Sequence, residues 1–135
     1  MTFEELEELY GGEGISEEMI CCTATDNIDQ WITDLIEIPV SQSGHYDWGD
    51  VLPSKLCYQL SDSYLTPVPF SSQWWAAGML LDEMSEELEI ELLHSDGWGM
   101  SGSIEGVPTA SNGPEVIART YLIAVKRGLL EVKHA

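Results

Sequence analysis

The pattern of apolar and polar positions divides the chain into periodic stretches on either side of an aperiodic centre. Thr2-Phe3-Glu4-Glu5 is a capping box, in which the Thr2 hydroxyl accepts from the Glu5 amide and the Glu5 side chain accepts from the Thr2 amide. Phe3, Leu6, Leu9 and Tyr10 follow on one helical face, and Gly11-Gly12 end the segment. Ser16, with Glu17 and Glu18 behind it, marks a second helix start. It leads into Met19-Ile20-Cys21-Cys22, a run too short for its period to separate helix from buried strand. Asp26, three residues before Asp29, is a third cap candidate. Ile28, Trp31, Ile32, Leu35 and Ile36 then recur at helical spacing until Pro39 stops them.

From Ser41 to Ser71 the period is lost, and Gly, Ser and Pro punctuate the chain heavily. The pattern predicts an irregular arm with short extended pieces such as Lys55 to Leu60. Ser71-Ser72 predict caps for a helix through about Met84, with Trp75, Met79, Leu80 and Met84 inward. Leu88, Ile90 and Leu92 alternate with Glu87, Glu89 and Glu91, which predicts a strand with one acidic wet face. Ser95 to Gly99 supplies a turn, and Met100 to Glu105 returns as the antiparallel partner. Pro114 and Glu115 open the last helix, whose apolar face holds Ile117, Tyr121, Ala124 and Val125. Lys126, Arg127 and Gly128 close it, and Leu129 to Val132 predicts a short strand.

These elements predict an α+β fold, a small antiparallel sheet packed against helices with a long irregular central arm. The 135 residues suit one domain, long enough to bury a core without covalent staples. It divides into a helical N-terminal part (1–40), the arm (41–71) and a helix–hairpin–helix core (72–135).

Charge changes the functional picture. Twenty-four acids face five bases, Lys55, Arg119, Lys126, Arg127 and Lys133, for a net −19. An apolar share of 44 % is too high for a disordered acidic tail. Such a surface repels nucleic-acid phosphate and attracts basic partners over long range. No apolar run approaches the roughly 20 residues that span a bilayer. The acidic start lacks a signal-peptide pattern, so a cytoplasmic protein without a membrane partner is expected. Cys21, Cys22 and Cys57 lack the C-x-x-C spacing of redox or zinc sites and are expected as free, buried thiols.

From Val68 onward, Pro69-Phe70-Ser71-Ser72-Gln73-Trp74 opens a helix with Ala76-Ala77-Gly78, and Asp96-Gly97-Trp98 sits in a hairpin. Pro114-Glu115 and Ala118-Arg119 then enter an apolar helix within Ala110 to Gly128. This order resembles the ABA-sandwich domain family of small bacteriophage proteins, and is similar to the Nin-region proteins of lambdoid phages. The likeness covers half the chain, and the Trp48 arm departs from it. It implies a phage origin and helices packed on a small antiparallel sheet, and it brings no catalytic residue.

The chain offers little catalytic apparatus. His45 with Asp47 and His94 with Asp96 are isolated pairs with no specified third ligand, so no metal or cofactor is expected. There is no G-x-S-x-G elbow, and the Gly-rich run from Gly97 to Gly102 precedes a strand, whereas a phosphate cradle opens a helix. Trp31, Trp74, Trp75 and Trp98 are core candidates. Trp48, flanked by Asp47 and Asp50, either anchors an interface or folds back over the sheet.

The expectation is therefore binding without catalysis. The leading reading is a phage-type inhibitor whose carboxylates stand in for DNA phosphates. It would occupy a basic host protein, a nucleic-acid enzyme or defence effector, through Glu4, Glu5, Glu7, Glu8, Trp48, Glu87, Glu89 and Glu91. One alternative is a sponge for a nucleotide second messenger, with Trp98 stacking the base and Arg119, Lys126 or Arg127 meeting phosphate. Another is a virion assembly protein, which would form homo-oligomers.

Overall fold

The computed structural model describes residues 1–37 and 67–132. In chain order these form α1 (Phe3–Leu9), α2 (Glu17–Cys22), α3 (Thr25–Ile36), α4 (Trp74–Glu87), β1 (Ile90–His94), β2 (Trp98–Gly102) and α5 (Gly113–Lys126). The fold is α+β, with one antiparallel hairpin against the helices. Trp48, the His45–Asp47 pair, Lys55, Cys57 and the extended piece expected from Lys55 to Leu60 lie outside the described residues.

Local signals set several helix starts. The capping box forms as read, with Glu5 N donating to Thr2 Oγ1 at 3.1 Å and Thr2 N to Glu5 Oε1 at 3.0 Å. Ser16 Oγ accepts from Met19 N at 3.1 Å, and the ambiguous Met19–Cys22 run is helical. Two cap expectations fail. α3 begins after Ala24, which has no side-chain cap bond, and Asp26 sits inside its first turn. α4 begins after Gln73 rather than Ser71 or Ser72, because Ser71 is turned inward to Asp29.

α5 organises the core. The sequence marks one apolar face, yet every residue from Val116 to Val125 is buried. Val116, Ala118, Leu122 and Ile123 supply the other faces, so the helix is covered all round, by α2, α3, α4 and β2. The inward positions of α3, Ile28, Trp31, Ile32, Leu35 and Ile36, are all buried. In α1 the apolar face is shorter than its spacing predicts: Phe3 and Leu6 are buried, but Leu9 is 58 % exposed. The expected arm also ends early, since Val68, Phe70 and Ser71 are core residues. Leu129 to Val132 forms no strand, though Leu130 and Val132 are buried. The thiols are less buried than expected: Cys21 is half-buried and Cys22 exposed, because α2 turns Ile20 inward.

The hairpin starts later than the alternation predicts on one side and earlier on the other. Nothing in Ser85-Glu86-Glu87 stops α4, so Glu87 ends the helix and Glu89 lies in the link to β1. Trp98, read as turn, begins β2 and pairs with His94. At the open end Gly102 has φ of 115°, and a Cβ there would fall 2.0 Å from Glu89 O. Gly102→Ala is expected to fray this end at a cost of about 1 kcal/mol, limited by the ease of local opening. Faster amide exchange at Glu91, with helical circular dichroism unchanged, would register it.

Candidate functional site

The basic side chains of the described residues are each held by the fold. Arg119 is 8 % exposed. Its Nη1 donates to Ile20 O at 2.6 Å, its Nη2 to Thr23 O at 2.9 Å, and its Nε lies 3.8 Å from Glu115. It thereby closes the C-terminal end of α2, whose last carbonyls have no helical partner. Lys126 Nζ lies 3.8 Å from Glu7 Oε2 and 5.1 Å from the Phe3 ring centre. Arg127 Nη2 donates to Glu17 Oε1 at 2.6 Å and to Glu105 O at 3.1 Å. The Arg127 hydrogen bond holds the Glu17 carboxyl below its ordinary value. The N-terminal ammonium meets Glu37 at 2.9 Å.

The residues expected of a nucleotide sponge are not assembled into one site. Trp98 sits at the N-terminal end of α5, where Trp74 packs against Gly113 and meets the Trp98 ring edge-on at 5.2 Å. One Trp98 face is covered by His94, stacked at 4.3 Å. Lys126 and Arg127 stand at the other end of α5, about 20 Å away along its axis. Arg119 lies between them, turned toward α2 and out of solvent.

The expected acidic residues divide by role. Glu7 faces inward: its Oε2 accepts from Ile15 N at 2.6 Å, which fastens the turn after α1. Glu5 belongs to the capping box. Glu4 and Glu8 are exposed one helical turn apart, and Glu13 and Glu18 beyond them are exposed too. Glu87, Glu89 and Glu91 are all exposed, but they occupy a helix end, a link and a strand, so they do not form one strand face. Among the described residues, no group of three or more His, Cys, Asp or Glu is placed to hold a metal ion. No helix among them is long and apolar enough to cross a membrane.

Two features escaped the sequence reading. Trp74, a core candidate, is 50 % exposed, and Leu93 is 46 % exposed. Helical spacing alone does not show that Trp74 would be left at the rim by Gly113. The second is a buried clamp. Asp29, itself 8 % exposed, accepts from Ser71 N at 2.8 Å and Ser71 Oγ at 3.0 Å. Burial raises its carboxyl to about 6, against the lowering effect of the Ser71 bonds. Thr33 Oγ1 accepts from Val68 N at 3.1 Å, so α3 holds the chain at both 68 and 71. Both Asp29 oxygens are occupied by this structural duty. Comparison with models of known families, with curated proteins and with solved structures gives no match to this chain, so the functional reading rests on its own surface chemistry.

Proposed function

We propose that the protein is a non-enzymatic inhibitor of phage type that binds a basic, nucleic-acid-handling or defence protein through surface carboxylates. One observation carries the reading. Every cation among the described residues is already engaged with a carboxylate of the same chain, while Glu4, Glu8, Glu13, Glu18, Glu89 and Glu91 remain exposed. The field of the surplus is not answered internally, so it acts on whatever basic surface approaches. A groove built for phosphate offers that complement. Association would be fast and strongly salt-dependent.

The test is competition. A basic protein captured from bacterial lysate at low salt should be displaced by duplex DNA, and its affinity should fall about tenfold or more between 50 and 300 mM salt. Glu4→Gln combined with Glu8→Gln and Glu13→Gln should weaken capture while leaving circular dichroism unchanged. A captured protein that ignores both DNA and salt would end the mimicry reading.

A further inference from the structure

Among the described residues the hairpin has one closed edge and one open edge, and the pairing pattern identifies which backbone groups are involved. Trp98 N donates to Ala110 O at 2.8 Å and Ala110 N to Trp98 O at 3.0 Å, so the Trp98 backbone turns away from β1. In an antiparallel ladder, bonded and non-bonded pairs alternate. Leu93–Gly99 and Glu91–Ser101 are therefore the bonded pairs, and Ser103 N continues the series to Glu89 O at 2.7 Å. The N–H and C=O groups of Ile90, Leu92 and His94 consequently point outward from β1. None of them has a hydrogen-bond partner among the described residues. The strand has no proline, lysine or bulge to blunt this edge.

We infer that the outer edge of β1 docks an extended basic segment of the partner protein as an added strand. The inference rests on the proposed role as a binder of basic partners, and it supplies the docking mode. Charge selects the occupant. Glu89 and Glu91 are exposed beside the edge, and a residue opposite Glu91 falls in a non-bonded pair, where side chains approach most closely. A lysine or arginine there meets a carboxylate that has no cation of its own among the described residues. A second copy of this chain would bring like charges together across the new ladder, at −19 per chain. The preferred segment alternates basic residues, facing Glu91 and the exposed Leu93, with β-branched residues on the Ile90 and Leu92 side.

The test uses two hexapeptides of three Lys-Val repeats, one N-methylated at every lysine and the other at every valine. They carry equal charge and equal methylation. In the docked register only the valine N–H groups face β1, so the lysine-methylated peptide keeps every needed donor. At low salt it should bind the whole protein at least about tenfold more tightly than its isomer. It should also slow amide exchange at Ile90, Leu92 and His94 by about tenfold or more. Glu91→Gln should weaken it about threefold. Equal binding of both peptides, without protection at those amides, overturns the edge site and leaves the basic-partner reading standing. Binding of neither peptide overturns both. A free protein that dimerises with the Ile90 and Leu92 amides protected would assign the edge to a second copy and overturn the inference.

Discussion

Arg119→Leu is expected to lower the unfolding free energy by about 3 kcal/mol, whereas Arg127→Leu should cost less than about 1 kcal/mol. Both substitutions remove one positive charge from a chain that has few, so the difference between them isolates position. Arg119 is buried and serves one carbonyl of α2, Ile20 O at 2.6 Å, and that of the residue capping it, Thr23 O at 2.9 Å. Leucine fills the space of the stem but leaves the buried bond to Ile20 O without its donor, at about 1–3 kcal/mol, and adds a smaller loss at the part-buried Thr23 O. It also removes a cation from a helix C-terminus, where the dipole favours it. Arg127 makes more bonds, but at an exposed site, where water replaces what is lost. Arg119→Lys restores one donor direction and should recover about half of the loss. Urea unfolding followed by tryptophan fluorescence reads all three. Equal costs for Arg119→Leu and Arg127→Leu would show that the buried guanidinium does not hold α2.

The second large effect concerns pH. Asp29 has a folded-state value of about 6 against an ordinary 3.8. Between those values the native protein retains a proton that the unfolded chain has released. Stability from this group is therefore complete below about pH 4 and is lost as pH rises through 6. Asp26 nearby acts in the same direction. Allowing for screening by adjacent solvent, the loss at pH 7 is about 2 kcal/mol. Asp29→Asn keeps an acceptor for Ser71 N and offers a donor to Ser71 Oγ, without the buried charge. It should be about 2 kcal/mol more stable than the parent at pH 7 and equal to it near pH 4. Melting temperatures of both proteins across pH 4 to 7 give the comparison, since relief of general charge repulsion affects each alike. An Asp29→Asn variant less stable than the parent at pH 7 would show that the charged form is the one the clamp favours.

Elements whose information is local were legible in order along the chain. The Thr2–Glu5 box and the Ser16 cap depend on groups within three residues, so the sequence contains the whole interaction. The inward positions of α3 followed from period alone, since one face of a helix must find cover. Alternation around Leu88 to Leu92 announced a strand, but its limits depended on where α4 ran out, and nothing local stopped that helix before Glu87.

For the candidate surface, the sequence determined the charge: twenty-four carboxylates against five bases is a property of composition, and no fold can hide all of it. Which of those charges are available follows from packing between distant parts of the chain. Arg119 and Ile20 are 99 positions apart, and Asp29 and Ser71 are 42 apart, so their bonds leave no periodic trace. Whether Glu7 faces solvent, or Ser71 caps a helix, depends on what packs beside it. The open edge of β1 has the same character. Alternation reveals which side chains point inward, while the direction of the backbone groups follows from register, and register is set by pairing partners far along the chain.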